Sequence, residues 1–357
     1  MNKRILFTGG GSAGHVSVNV ALIPQFKQLG WKISYIGSKT GIEKEMINTA
    51  FSKIPYHGIS SGKLRRYFSF KNVTDPFRVV AGVLQAYRVI QKERPDIIFS
   101  KGGFVSVPVV IAAKFAKVPV VIHESDVTPG LANKLAVPFA TKIFTTFPET
   151  LQHVPEDRST CAGAIIRKEL FQGSREKGEK ITGLNASKPV LLIMGGSLGA
   201  HKINEVVRDS LDQLLEQFSV VHLCGRGNLV DSNKVGYVQF EFVTDELPHL
   251  LAMTDLVISR AGSNSIFEFL ALKKPMLLIP LPLESSRGDQ ILNARSFVQQ
   301  GFALKLEEKE LTAECLITTI RQLRDQQWDM VEKMENAPVS YTIEQMAQEV
   351  SKLALVK

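Results

Sequence analysis

Two glycine-rich stretches each follow a short apolar run. Ile5-Leu6-Phe7-Thr8 leads into Gly9-Gly10-Gly11-Ser12-Ala13-Gly14-His15, and Val190-Leu191-Leu192-Ile193-Met194 leads into Gly195-Gly196-Ser197-Leu198-Gly199-Ala200. A glycine loop between a strand and a helix lets backbone N–H groups approach a phosphate at the helix N-terminus, where the dipole favours negative charge. A tight turn also needs glycine for positive φ, so either loop taken alone leaves both readings open. Neither run continues as GK[ST], which excludes a P-loop. A nicotinamide dinucleotide needs a carboxylate near the end of the second strand to hold a ribose. That strand ends Tyr35-Ile36-Gly37-Ser38-Lys39, without one. The NAD and ATP-hydrolysing readings both drop.

A third stretch is sharper. The apolar run Leu256–Ser259 ends in Arg260-Ala261-Gly262-Ser263-Asn264-Ser265, then Ile266-Phe267-Glu268. Small residues at a helix start present N–H and hydroxyl donors to a diphosphate. Glu268, further along that helix, is placed to accept bonds from ribose hydroxyls; the alternative is an N-capped helix with Glu268 solvated or ion-paired. His15 closes the first glycine loop, and an imidazole with an ordinary pKa of about 6.5 suits proton abstraction near neutral pH. It could equally order the loop by hydrogen bonding. His123-Glu124 is a second such pair, in which Glu124 either orients an imidazole or pairs with Lys134. No DxD occurs in the chain, so no carboxylate pair of that kind is offered to a metal.

These residues need a scaffold, and the apolar pattern predicts one. Strands are expected at Arg4–Thr8, Lys32–Gly37, Asp96–Ser100, Val118–Ile122 and Lys142–Thr145, then at Val190–Met194, Val220–Leu223, Leu256–Ser259 and Pro275–Ile279. Helical patterns fall between or after them, at Val16–Leu29, Asn72–Glu93, Ile203–Gln217 and Ser263–Ala271. Runs of Val, Ile and Leu without alternation fit parallel strands buried on both faces. The repeated strand–glycine loop–helix unit therefore reads as α/β, with two doubly wound Rossmann-like domains facing across a cleft. A linker is expected between Pro155 and Lys188, where apolar periodicity is lost.

Composition agrees with a two-domain globular chain: 357 residues, 44% hydrophobic and 22% charged. Cys161, Cys224 and Cys315 are odd in number and widely spaced, which fits reduced buried thiols and excludes a disulfide framework. The net charge of +8 is unevenly spread. Residues 1–165 hold 21 Lys/Arg against 10 Asp/Glu, a net of +11, whereas residues 166–357 hold 22 against 25, a net of −3. The basic half implies an anionic partner: nucleic acid, a membrane surface or a phosphorylated substrate. Met1–Thr8 is too short for a signal-peptide core, and Lys114, Lys117 and two prolines interrupt the most apolar later stretch, Phe104–Ile122.

Taken together, the motifs resemble the MurG family. The resemblance is carried by Gly9–His15, Ser100-Lys101-Gly102-Gly103-Phe104-Val105-Ser106-Val107-Pro108 and His123-Glu124-Ser125-Asp126. It continues through Gly195–Ala200, Arg260–Glu268 and Ser286-Arg287-Gly288-Asp289-Gln290 to Asn293-Ala294, in the same order and spacing. The resemblance implies the GT-B fold and an inverting, metal-independent transfer needing no cofactor. N-acetylglucosamine would pass from UDP-GlcNAc to the C4 hydroxyl of the muramyl sugar of lipid I, the undecaprenyl-diphosphate-linked muramyl pentapeptide, giving lipid II for peptidoglycan. It implies an acceptor and membrane-facing domain at 1–165, a donor domain at 166–340, and a C-terminal helix at 341–357 packing back on the first domain. The implied place of work is the cytoplasmic face of the membrane.

By the same resemblance His15 is the base. Ser12, Ala13, Gly14 and Asp126 lie near the sugar and reaction centre, while Arg167 and Ser197 bind the donor, Ser197 beside a phosphate. Val243 offers its backbone to uracil, and Ser263, Asn264 and Ser265 lie at the diphosphate and sugar. Glu268 holds the ribose, and Gln290 with Asp289 the sugar hydroxyls. The chain departs from the family's usual residues at Leu198 (commonly Gln), Phe104 (Tyr) and Asp126 (Asn), and at Gly163-Ala164-Ile165-Ile166-Arg167 in place of GNPVR. Leu198 carries no polar side chain for a ligand, and Asp126 offers acceptors only.

Alternatives remain at this stage. A UDP-GlcNAc 2-epimerase of the same fold needs no lipid acceptor, and a non-catalytic UDP-sugar binder needs no base. A nucleic-acid binder fits the +11 but not the motifs, since no helix-turn-helix, RRM or zinc-finger pattern is present. The stretch Gly62-Lys63-Leu64-Arg65-Arg66-Tyr67-Phe68-Ser69-Phe70-Lys71 interleaves cations with aromatics and leads into Phe77, Val80 and Leu84 at helical spacing. It reads as a patch for an anionic membrane, or as a solvated loop before an ordinary core-facing helix.

Overall fold

A computed structural model describes residues 3–62, 71–185, 187–195, 200–338 and 340–354. The chain divides into two units, one formed by Met1–Ile165 with Val339–Lys357 and the other by Ile166–Pro338. The returning segment carries two basic and two acidic residues, so the first unit keeps its net of +11.

Among its described residues the first unit holds seven strands: β1 (Arg4–Thr8), β2 (Lys32–Ser38), β3 (Tyr56–Ile59), β4 (Ile97–Ser100), β5 (Val120–Glu124), β6 (Lys142–Thr145) and β7 (Ser159–Cys161). They form one parallel sheet in the order β3-β2-β1-β4-β5-β6-β7. Both faces are covered. Ile5 and Phe7 point into a core with Leu22, Phe26 and Phe99, while Leu6 points the other way, among Ile98, Val109 and Ile122. That is why the strand sequences do not alternate.

The C-terminal helix Ile343–Lys352 places Ile343, Met346, Ala347 and Val350 in the first of these cores. A reciprocal capping box between Thr342 and Gln345 starts that helix. The Tyr341 N–H donates to the Ala162 carbonyl at 2.7 Å, tying the returning chain to the strand side of the unit.

The second unit holds β8 (Val190–Met194), β9 (Ser219–Leu223), β10 (Tyr237–Phe240), β11 (Leu256–Ser259), β12 (Met276–Leu278) and β13 (Ala303–Lys305). These form a parallel sheet in the order β10-β9-β8-β11-β12-β13. In each unit the strand order reverses beside the first strand, at β1/β4 and at β8/β11. Ligands of open α/β sheets bind outside the carboxyl ends of strands at such switch points. Among the described residues, Gly9–His15, Ser100–Pro108, His123–Asp126, Arg260–Glu268 and Ser286–Gln290 lie near a carboxyl end or on the helix that follows it.

Three expectations need correction. The 155–188 stretch is not a plain linker: it contains β7, a helix Arg175–Thr182 with buried Gly178 and Thr182, and the passage between units at residue 165. The helix expected over Ile203–Gln217 is two, His201–Asp209 and Leu211–Gln217. At the break Ser210 turns its hydroxyl back to the Val206 carbonyl at 2.7 Å. The thiols are all free, but only Cys224 is buried; Cys161 is half-buried and Cys315 exposed.

Candidate functional site

In the first unit the site begins at the end of β1. Ser12 is extended (φ −150°, ψ 154°) and caps the helix Ala13–Gln28, its side chain accepting the His15 N–H at 3.4 Å. Ala13, Gly14 and His15 therefore form the first turn of that helix. The His15 ring is half-buried, and its Nδ1 lies 2.9 Å from the Gly10 carbonyl oxygen. A carbonyl only accepts, so Nδ1 carries the proton and the neutral ring has its lone pair on Nε2.

The loop itself is tightly packed. The Gly10 N–H donates to the Gly102 carbonyl at 3.2 Å. A side chain on Gly103 would meet the Gly10 carbonyl oxygen at 2.1 Å, and one on Gly10 would meet the Glu43 carboxylate at 2.5 Å. Only glycine allows these approaches. Glu43 itself, 1% exposed, accepts the Ser38 N–H at 2.9 Å and the Gly11 N–H at 3.2 Å. A carboxylate thus does stand beyond the second strand, supplied by the helix Ile42–Ala50, and it is engaged by the chain's own loop.

The loops after β4 and β5 adjoin. Lys101 is 1% exposed and its ammonium donates to the Ser125 hydroxyl. Burial pulls its pKa down, against the opposing pull of Glu124 and Asp126. Glu124 accepts the backbone N–H groups of Ser125 (2.8 Å), Asp126 (3.0 Å) and Gly130 (3.0 Å), and the Asn133 side-chain amide (2.8 Å). Its carboxylate shapes the turn that carries Asp126, so neither use expected for it, orienting an imidazole or pairing with Lys134, is needed. Asp126 is half-buried, and its carbonyl accepts the Thr150 hydroxyl at 3.0 Å. His123 is buried, and burial and the Lys101 charge hold its pKa well below the usual value. Buried and neutral, it is poorly placed to take a proton from a substrate, so of the two histidines singled out by their motifs His15 is the better placed.

In the second unit, Arg167 forks onto Glu268, Nε to Oε1 at 3.0 Å and Nη2 to Oε2 at 3.1 Å. Glu268 is mostly buried; burial raises its pKa and Arg167 opposes the rise. Ser263, Asn264 and Ser265 form the first turn of the helix Ser263–Ala271, whose cap, Gly262, contributes no side-chain bond. Glu268 follows on the same helix. Asp289 and Gln290 open the helix Asp289–Gln299. Gln290 Oε1 accepts the Leu281 N–H at 3.0 Å, and Asp289 pairs with Arg287 at 3.6 Å. Asn293 joins this helix to the first, donating to the Ala261 carbonyl at 3.2 Å. Val243 is buried in the stretch after β10, beside Phe242, whose ring stands 5.7 Å from the Arg226 guanidinium. Ser197 and Leu198 lie outside the described residues.

Three buried residues of the site carry no expectation from sequence: Lys101, Arg260 and Glu43. Arg260 donates to the Ile279 carbonyl at 3.1 Å and the Pro280 carbonyl at 3.4 Å and pairs with Glu308. It fixes the exit of β12 one residue before Leu281, and so the position of Gln290. Lys101 and Arg260 sit inside motifs, where a cation among small residues is a readable signal. Glu43 has no such signal.

Among the described residues no cluster of three or more His, Cys, Asp or Glu could hold a metal ion, and no helix is long and apolar enough to cross a membrane. The helix Lys71–Glu93 does turn Phe77, Val80 and Leu84 outward, at 75%, 61% and 58% exposure, so these three do not face the core. The Lys63–Phe70 part of the basic aromatic patch lies outside the described residues.

The chain matches the glycosyltransferase family 28 N-terminal domain over residues 5–145 and the C-terminal domain of that family over 190–352. Two parallel α/β units with motifs at their switch points, matched in this order, define a GT-B glycosyltransferase of family 28. The chain belongs to the MurG family within that class. It is 58% identical over 340 residues to the UDP-N-acetylglucosamine--N-acetylmuramyl-(pentapeptide) pyrophosphoryl-undecaprenol N-acetylglucosamine transferase of Geobacillus thermodenitrificans, covering 94% of this chain and 95% of that one. The Clostridium tetani protein of the same description is 50% identical over the whole of both chains. The crystal structure of Acinetobacter baumannii MurG shares the fold at a TM-score of 0.76 and 23% identity, over 98% of this chain and 99% of that one. A UDP-GlcNAc 2-epimerase from Neisseria meningitidis does so at 0.69 and 15%, over 99% of each. Fold alone does not separate transferase from epimerase; the sequence identity does.

Proposed function

We propose that this chain transfers N-acetylglucosamine from UDP-GlcNAc to the C4 hydroxyl of the muramyl sugar of lipid I, with inversion and without a metal, and that His15 is the base. Identity of 50–58% to transferases of that description, over 94–100% of the chain, carries the substrate assignment. The contact of His15 Nδ1 with the Gly10 carbonyl supports the role of His15. The acceptor belongs to the basic first unit, with Ser12, Ala13, Gly14 and Asp126 around the reacting sugar. The donor belongs to the second, with Glu268 on the ribose, Ser263 to Ser265 and Ser197 at the diphosphate, Val243 at uracil, and Asp289 and Gln290 at the sugar hydroxyls.

In this reading His15 Nε2 removes the C4 hydroxyl proton as the oxygen attacks the anomeric carbon, and UDP departs from the opposite face. Charge growing on the diphosphate is met by the N-terminus of the Ser263–Ala271 helix, whose dipole does not depend on a bound cation. Radiolabelled UDP-GlcNAc incubated with a short-chain lipid I analogue should release UDP only when acceptor is present, and equally in EDTA. Release or C2 epimerisation without acceptor sinks the transferase reading; loss of turnover in EDTA that Mg²⁺ alone restores sinks the metal-independent step.

The enzyme works peripherally on the cytoplasmic face of an anionic membrane. Phe77, Val80 and Leu84, flanked by exposed Arg78 and Arg88, form the docking face. Replacing Phe77 and Leu84 by serine should weaken binding to anionic vesicles about tenfold or more, since each buried side chain contributes roughly 1.5–3 kcal/mol. Unchanged partitioning on flotation removes this surface from consideration.

A further inference from the structure

Glu43 has no part in the chemistry above, yet it is 1% exposed and lies against the loop that carries the base. Buried carboxylates are costly and persist where their charge is used. Its Oε1 takes the Ser38 N–H at the end of β2, and its Oε2 takes the Gly11 N–H. That N–H belongs to the peptide group joining Gly10 to Gly11. The other end of the same peptide is the Gly10 carbonyl, the acceptor for His15 Nδ1 at 2.9 Å. One flat amide is thus held between a carboxylate and an imidazole.

Hydrogen bonds in such a chain polarise one another: a carboxylate accepting the N–H makes the carbonyl a better acceptor. The better the carbonyl accepts, the more firmly the proton is held on Nδ1 and the more basic Nε2 becomes. The geometry leaves the amide little room to turn away, because Glu43 presses on one side of Gly10 and Gly103 on another. Ser38 fixes the second carboxylate oxygen, so the glutamate itself is oriented. We infer that Glu43 is a positioning residue for His15, acting through the Gly10–Gly11 peptide as an aspartate acts directly on a catalytic histidine. No proton crosses the amide; the relay sets the tautomer and basicity of the ring. The inference rests on His15 being the base.

The test uses the full-length chain with Glu43→Gln, which keeps the shape but sets an amide NH₂ against one of the two N–H donors. With ¹⁵N-labelled histidine, NMR should show the His15 ring, assigned by its loss in His15→Ala, as the Nδ1–H tautomer in the unaltered protein and as a mixture in Glu43→Gln. The same variant should lose about tenfold to a hundredfold in kcat, the usual cost of removing a ligand-orienting partner. Its KM for UDP-GlcNAc should stay within about twofold. A glutamate that merely braced the fold would lower the thermal midpoint and leave the tautomer alone.

If Glu43→Gln lacks the native near-UV circular dichroism, Glu43→Asp decides. An altered His15 pattern with reduced kcat supports the relay, and an unaltered pattern overturns it. Full activity in His15→Ala overturns the base assignment. An inactive His15→Ala beside a Glu43→Gln of normal kcat and tautomer overturns the relay alone.

Discussion

His15→Ala should lower kcat about a thousandfold, within the 10²–10⁴ typical of a positioned acid or base and equivalent to roughly 4 kcal/mol of barrier. A sugar hydroxyl is a poor nucleophile until its proton is leaving, and water reaching the vacated space is a weaker, unpositioned base. The loss belongs in kcat. The residues proposed for the donor all lie in the second unit, so KM for UDP-GlcNAc should stay within about twofold. Binding retained with turnover lost also separates an enzyme from a UDP-sugar sensor. Steady-state kinetics with a soluble lipid I analogue reads both numbers, and a kcat within about threefold of normal would remove His15 as the base.

Glu268→Gln should have the second large effect, in the other parameter. Each ribose hydroxyl that donates to a charged carboxylate contributes roughly 1.5–3 kcal/mol, so KM for UDP-GlcNAc should rise about a hundredfold. Part of that loss comes from Arg167, whose guanidinium is left without the fork that two carboxylate oxygens provide. The pH dependence follows from the burial that raises the Glu268 pKa. Protonation removes the charge that accepts the hydroxyls, so donor affinity falls on acidification, starting above the ordinary carboxylate range. The Gln variant has no proton to gain at this position and should lose that dependence. An unchanged KM, or a pH response that survives the substitution, places the ribose elsewhere.

The strands missed by the apolar pattern share a location. β3, β7, β10 and β13 are the four sheet edges. An edge strand is paired on one side only and partly solvated, so Tyr56–Ile59, Ser159–Cys161, Tyr237–Phe240 and Ala303–Lys305 carry no continuous apolar run. Central strands are covered on both faces, and Ile97–Ser100 and Val190–Met194 fall within a residue of their expected bounds. The strand expected at Val118–Ile122 instead runs two residues later, Val120–Glu124, because the polar pair His123-Glu124 is buried in the sheet as well.

The site divides along a similar line. Ser12 to His15, Ser263 to Glu268 and Asp289 with Gln290 are contiguous, because each group caps or opens a helix and a helix start gathers sequence neighbours. Arg167 and Glu268 are 101 positions apart, and their fork exists only once β11 and the chain after residue 165 are packed. For Glu268 the sequence left a ribose acceptor beside a solvated or ion-paired side chain; the fold shows the pair with Arg167, and the ribose role is the proposal that Glu268→Gln tests. His123, a plausible base on paper, was removed by burial, a property of the sheet interior that residue type does not announce.

The glycine-loop and helix-start motifs by themselves determined the class of chemistry, the parallel scaffold and the loop that bears His15, since each depends on short-range spacing. Which histidine is accessible, which nitrogen of His15 holds its proton, and that Glu43 stands behind the Gly10–Gly11 peptide were decided by tertiary structure. Burial and hydrogen-bond direction arise only when loops from three separate strands are packed against one another.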